Sequence, residues 1–346
     1  MGEEGSDRTD RARPRVASVN DEPSFSLGPA AEALSRARAS AALARHPHFG
    51  ARDLVTIASH ADPRVPLVFN APHSGRDYPE AFRAASRLDA VQLRRSEDAH
   101  VDALFAGVVG LGAPLIVAHF PRAWLDVNRE PYELDPRMFD GALPSHANVR
   151  SVRVAGGLGT VPRLVAEGRD IYRRRLPVAE ALERVERVYK PYHEALRALM
   201  SGAHDAFGHA VLIDCHSMPS VVRDGDGGAR PDIVVGDRFG TSASRALTDL
   251  ALGLLRERGF QVTRNKPYAG GFITEHYGRP LRGLHALQIE INRALYMDEN
   301  SYEPTVGFAA LAEELTAFAA DLMARAEIAL GAYGARPAGG FRHAAE

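Results

Sequence analysis

Several short stretches of this chain concentrate side chains capable of acid–base or metal chemistry. In NAPHSGRDYP (70–79), His73 follows the apolar run 65–69 and stands between a proline and a Ser-Gly pair. Proline and glycine shape a turn, but a turn has no need of an imidazole. In VLIDCHSMPS (211–220) an apolar run ends in Asp214, Cys215 and His216. On an extended chain Asp214 and His216 point to the same side, so the aspartate can orient the ring or back a metal-bound imidazole. A polar strand end accounts for the same residues. SEDAHVDALF (96–105) places Ser96, Glu97 and Asp98 in the expected first turn of a helix, where capping and the helix dipole alone favour acidic groups. Two histidines and one carboxylate are also the usual protein ligands of a catalytic zinc site with one position left for water. His73, Asp98 and His216 are therefore the candidate metal ligands.

A water activated in this way needs a base. In ALQIEINRALYMDE (286–299) the apolar Leu287, Ile289 and Ile291 alternate with Gln288, Glu290 and Asn292. A carboxylate in that pattern either faces solvent or lines a polar cleft. In a cleft, Glu290 can accept a proton from water and hand it to a leaving amine. FPRAWLDVNRE (120–130) offers Arg122, Asn128 and Arg129, planar donors suited to a carboxylate; a solvated basic loop explains them too. The single tryptophan, Trp124, reads as core. In YAGGFITEHYG (268–278) the pair Gly270-Gly271 permits close approach to a ligand. His276 after it is ranked first as a substrate donor, then as a loop histidine, then as a metal ligand. The chain has no GxGxxG after a strand, no P-loop, no HExxH and no GxSxG elbow. Cys215 is disfavoured as a nucleophile because it and His216 point to opposite sides of a strand.

These residues need a scaffold. The chain of 346 residues is 45% hydrophobic and 25% charged, near the globular average, with net charge −2. That balance gives no long-range attraction to nucleic acid or anionic membrane. One cysteine excludes an internal disulfide framework and fits a reducing compartment. The expectation is a cytoplasmic protein without a secretory signal or membrane span. Expected strands cover 66–70, 115–118, 210–214, 232–236, 261–264 and 286–291, and expected helices 89–109, 179–200, 242–258 and 306–330. Their alternation predicts one α/β domain over 51–332 with a mixed, largely parallel sheet flanked by helices. Residues 1–50 read as an extension that is disordered or loosely helical, with a short helix over 29–45, and 333–346 as a flexible tail. The Gly-, Pro- and Arg-rich stretch 120–178 is too long for an ordinary connection, which makes it a functional excursion or a lid. His73 and His216 both fall at the carboxyl ends of expected strands, where open α/β sheets bind ligands.

PHSGRDYP, EDAHVD, RAWLDVNR, YKPYHEAL, DCHSMPS, GGFITEHYG and HALQIEINRALYMDE occur in this order between about residues 54 and 325. Together they resemble the N-formylglutamate amidohydrolase (N-formylglutamate deformylase) family. The resemblance implies a fold and site like those of zinc carboxypeptidases (phosphorylase/hydrolase-like). It also implies release of formate from N-formyl-L-glutamate with zinc or another divalent metal, in histidine degradation. Carried over by residue, it implies His73, His216 and Asp98 as metal ligands and Glu290 as base. Zinc carboxypeptidases place a glutamate three residues after the first histidine, where this chain has Arg76. Asn128 and Arg129 resemble the carboxylate-binding pair, and Arg122 is expected to assist at the oxyanion. His276 and Gly271 complete the expected substrate site for a small N-formyl or N-acyl amino acid. DCHS and QIEI stand where glutamate-specific members usually read DAHS and QLEM, which leaves another acyl amino acid open. The competing readings are a catalytically silent amino-acid- or metal-binding relative and a carboxypeptidase-like peptidase.

Overall fold

The computed structural model describes residues 45–60, 62–165, 168–222 and 230–334. The helix expected at 29–45, except for its last residue, and the tail beyond 334 lie outside the described residues. Seven strands form the main sheet: β1 (Val55–Ala58), β2 (Leu67–Ala71), β3 (Leu115–Ala118), β4 (Ala210–Met218), β5 (Ile233–Gly236), β6 (Val262–Arg264) and β7 (Leu284–Asn292). Their spatial order is β1-β3-β2-β4-β7-β5-β6. Strands β3, β2, β4 and β7 are mutually parallel; β1 joins one side antiparallel to β3, and the parallel pair β5–β6 joins antiparallel to β7. The sheet is mixed and largely parallel, and helices cover both faces.

The two central strands, β4 and β7, are buried along nearly their whole length, as expected where both faces are covered. Their alternation decides where function sits. Val211, Ile213 and Cys215 with Leu287, Ile289 and Ile291 join one core, under α5 (Arg245–Glu257) and α7 (Gly307–Gly334). Leu212 and Ala286 begin the second face apolar, but toward the carboxyl ends that face carries Asp214, His216, Gln288 and Glu290. Cross-strand register pairs Asp214 with Gln288 and His216 with Glu290, and Asn70 of β2 lies level with Asp214. An apolar core thus gives way to a floor of buried polar side chains.

The expected helix 89–109 is a correction. A short helix, α1 (Ala90–Arg94), is started by a reciprocal capping box between Asp89 and Gln92. The chain then leaves the helix, and α2 (Val101–Leu104) begins only after His100, held at φ 64°. Asp98 therefore lies in the break, not in a helical first turn; its backbone N–H donates to the His73 carbonyl at 3.0 Å. The tie binds the 96–100 segment to the turn after β2. In that turn a Cβ on Gly75 would stand 2.1 Å from the Phe120 carbonyl oxygen, so only glycine lets the two segments meet.

The stretch 120–178 is anchored. Trp124 is fully buried, with the Phe49 and His46 rings each 4.9 Å away. Packing thus begins before the expected boundary at residue 51. Behind it run α3 (Val178–Arg184), one wide turn at Val185–Tyr189, and α4 (Lys190–Phe207). Pro191 lacks an N–H and crowds the carbonyl four residues back, which accounts for the widened turn. From this helix Arg184 Nη1 donates to Trp124 O at 2.8 Å, His193 Nε2 to Val127 O at 2.9 Å, and the Tyr189 hydroxyl to Arg129 O at 2.6 Å. Fixing these carbonyls brings Asp126 and Asn128 to the cleft.

Candidate active site

A cleft of about 540 Å³ opens at the carboxyl ends of β2, β4 and β7. His73, Asp98 and His216 are buried on its floor, with one potential ligand atom of each within 4.8 Å of the others. Asp98 Oδ2 is 3.3 Å from His73 Nδ1 and 2.9 Å from His216 Nδ1. Each ring turns its other nitrogen to a second carboxylate: His73 Nε2 lies 2.8 Å from Asp126 Oδ1, and His216 Nε2 3.0 Å from Asp214 Oδ2. Asp214 is itself oriented by Asn70 Nδ2, which donates to its Oδ1 at 2.7 Å. The outer oxygen of Asp98, Oδ1, accepts from Ser217 Oγ and Arg293 Nη2, both at 3.2 Å.

This donor set fits a divalent cation. His73 Nδ1 is buried without a hydrogen-bond partner, although buried polar nitrogens are normally satisfied. It faces the same Asp98 oxygen as His216 Nδ1. Carboxylates behind both rings are the arrangement that fixes tautomer and orientation in metal-binding histidines. The electrostatics are strong. Burial alone would raise the Asp98 carboxyl, but His216 and His73 hold it well below the usual carboxylate range. Burial would lower His216, yet Asp214 and Asp98 keep it well above an ordinary histidine. For Asp126, burial is outweighed by Arg129, Arg122 and His73, and its carboxyl is held well below the usual range.

Glu290 is buried beside this group, and Gln288 Nε2 donates to its Oε1 at 2.8 Å. The Gln288 amide is oriented by its own Oε1, which accepts from Gly271 N at 2.8 Å. Burial, with help from the Asp98 charge, pushes the Glu290 carboxyl up to about 7 against the pull of His216 and Arg122. A carboxyl at that value both takes and returns a proton near neutrality.

Asn128 Oδ1 accepts from Ile273 N at 2.8 Å, which turns Nδ2 to the cleft, 3.4 Å from His216 Nε2. Arg122 lines the cleft with Nε on Asp126 Oδ2 at 3.0 Å. Arg129 is more committed than expected. Its Nε donates to Leu158 O at 2.7 Å and its Nη1 to Asn128 O at 2.6 Å, while Nη2 lies 3.4 Å from Asp126 Oδ2. Gly271 lines the cleft, and a Cβ there would stand 2.4 Å from Asn128 Nδ2. His276 is not brought to the site. It is exposed on α6 (Phe272–Tyr277), its ring stacked on Phe272 at 5.0 Å, because the helix turns Ile273 and Tyr277 to the core instead.

Sequence reasoning missed Asp126, Ser217 and Arg293. Asp126 stands two residues before Asn128, whose backbone N–H donates to its Oδ1 at 2.8 Å; an aspartate two residues ahead of a polar neighbour is the signal for such an Asx turn. Arg293 follows Glu290 by three residues, just past the strand end, where no periodicity points to a partner.

Fold and site together define an α/β protein with a buried polar centre at the carboxyl ends of its parallel strands. A profile of the N-formylglutamate amidohydrolase family matches residues 65–297. An N-formylglutamate deformylase of Pseudomonas putida is 30% identical over 239 residues, spanning 68% of this chain and 83% of that protein. One from Pseudomonas aeruginosa is 32% identical over 263 residues, spanning 75% and 92%. The crystal structure of an N-formylglutamate amidohydrolase from Ralstonia eutropha JMP134 superposes with a TM-score of 0.73 at 37% identity, covering 79% of this chain and 99% of that one. The chain belongs to the N-formylglutamate amidohydrolase family. Among the described residues, no helix is long and apolar enough to cross a membrane.

Proposed function

We propose that this protein hydrolyses the formyl amide of N-formyl-L-glutamate to formate and glutamate, with zinc or another divalent metal at His73, Asp98 and His216. Its relatives carry that activity in their names. The observation that supports the chemistry best is a buried carboxyl, Glu290, placed level with His216 across one strand pair and beside the His73, Asp98 and His216 group. A divalent cation on the three residues supplies Lewis acidity, which lowers the pKa of water and polarises a carbonyl. Glu290 accepts the proton of the attacking water, held in place by Gln288. It then returns that proton to the amine nitrogen as the C–N bond breaks, the double duty its pKa suits. Arg122, fixed by Asp126, faces the oxygen that gains negative charge. Asn128 Nδ2 and the least committed nitrogen of Arg129, Nη2, receive the α-carboxylate.

A formate-release screen over N-formyl amino acids, with N-acetyl-L-glutamate and dipeptides as controls, tests the substrate assignment. The reading expects the highest kcat/KM for N-formyl-L-glutamate. Preferential release of free amino acids from dipeptides overturns it in favour of a peptidase, and saturable binding without formate release overturns it in favour of a silent relative.

A further inference from the structure

Glutamate carries a second carboxylate, and the cleft has more arginines than the chemistry above uses. Arg122 and Arg129 are engaged by Asp126, and Arg293 by Asp98, Ser217 and the Glu97 carbonyl. Arg238 also lines the cleft, and its setting differs. Its side chain lies across Gly270: a Cβ on that glycine would stand 3.2 Å from Arg238 Cδ. The next residue, Gly271, abuts the Asn128 amide. Asn128 and Arg238 thus lie against adjacent glycines and line the same cleft, so that one small substrate with two carboxylates can meet both.

The Arg238 guanidinium has exchangeable partners. Nη1 donates to Gly270 O at 3.3 Å, a long contact, and Nη2 pairs at 2.6 Å with Glu275, whose side chain is 56% exposed. An exposed carboxylate is held weakly in water, so a substrate carboxylate can take its place. The backbone beneath is built for placement. Arg238 and Phe239 both have positive φ, 51° and 57°, a conformation that persists only where the surroundings impose it. The imposing group is Asp237. Its fully buried carboxylate accepts from Arg264, from Asn265 Nδ2 at 2.7 Å, from Thr248 Oγ1 at 3.0 Å and from Gly240 N at 3.1 Å. Arg238 N is tied to Ala269 O at 2.7 Å, which locks the arginine to the loop that crosses the cleft.

We infer that Arg238 binds the side-chain carboxylate of the substrate and sets the preference for an acidic N-acyl amino acid. The inference rests on the deformylase reading and names its specificity determinant. A charge-assisted pair replaces Glu275 on Arg238 when N-formyl-L-glutamate binds, and a neutral side chain leaves the original pair in place.

The test is the ratio of kcat/KM for N-formyl-L-glutamate to that for N-formyl-L-glutamine, measured in the metal-loaded wild type and in Arg238→Met, Arg238→Lys and Arg95→Met. Both substrates meet the same preparation, so a fraction of misfolded protein cancels in the ratio. Arg238→Met is expected to lower the ratio about 10- to 100-fold, the range for a lost charge-assisted hydrogen bond. The loss should appear mainly in KM, with Arg238→Lys falling between. An unchanged ratio in Arg238→Met overturns the inference, as does a collapse in Arg95→Met alone; in both cases the deformylase reading stands. A wild type that releases formate from neither substrate overturns that reading and the inference with it.

Discussion

Replacing Asp126 by asparagine perturbs the carboxylate on which the non-ligand half of the site converges. Its Oδ1 accepts from His73 Nε2 and from Asn128 N, both at 2.8 Å, and its Oδ2 accepts from Arg122 Nε at 3.0 Å with Arg129 Nη2 at 3.4 Å. An amide has one acceptor oxygen. Whichever way it is turned, an NH₂ group meets donors: either the imidazole and a backbone N–H, or two guanidinium groups. Arg129, which is buried, and Arg122, which is half-buried, also lose their nearest counter-charge. Breaking a buried pair by removing one partner costs about 3–5 kcal/mol. For a domain of this size a loss of that order lowers Tm by about 5–8 °C. The second effect is on His73, whose Nε2–H tautomer and ring angle are set by this contact. Losing such a partner weakens metal binding about 10–100-fold. Zinc affinity by chelator competition, with thermal unfolding of the metal-free protein alongside, measures both. An Asp126→Asn variant with wild-type zinc affinity refutes the role assigned to Asp126, and unchanged Tm refutes the buried-pair argument.

Glu290→Gln should bind metal at wild-type stoichiometry and lose about 10²–10⁴-fold in kcat, the usual contribution of a general base; full turnover removes Glu290 from that role. Gly271→Ala should raise KM more than it lowers kcat, because its Cβ, 2.4 Å from Asn128 Nδ2, displaces the carboxylate anchor; unchanged steady-state kinetics would exclude that contact as a constraint. Burial lowers the His193 pKa to about 4, against a smaller opposing contribution from its bond to the Val127 carbonyl. The folded protein therefore keeps this ring neutral while the unfolded chain protonates below about 6.5. Its contribution is complete above about pH 6.5 and is lost as pH falls toward 4, at ~1.4 kcal/mol per pH unit. Urea unfolding of wild type and His193→Gln across that window should show wild type losing stability more steeply by that amount; parallel pH dependences contradict the burial argument.

Strands and helices were legible where one period dominated. The apolar runs of β3, β4 and β7 announce strands buried on both faces, and the charged-apolar alternation of 242–258 and 306–330 announces surface helices, found at Arg245–Glu257 and Gly307–Gly334. Strand β1, VTIA, is short and lies at the sheet edge, so its pattern does not stand out from its polar flanks. The helix at 89–109 breaks because tertiary contacts override local preference at Asp98, whose N–H is taken by His73 O. His73, His216 and Glu290 stood out as candidates because two histidines at strand ends and a carboxylate in an apolar strand are unusual without a function, and folding brings all three to one cleft. Asp126 and Arg293 were not, because an acid among arginines and an arginine after a strand read as ordinary surface until folding buries them. His276 misled for the opposite reason: a histidine after a Gly-Gly pair suggests a ligand contact, but helical rotation carries it outward.

The proposed chemistry rests on a metal held by His73, Asp98 and His216 that works with Glu290. Formate release from N-formyl-L-glutamate, followed while the chelated protein is titrated with zinc, tests that claim most directly. No release is expected after chelation, with recovery that saturates near one zinc per chain and none in His216→Ala. Undiminished formate release from protein shown by elemental analysis to be free of metal would contradict it.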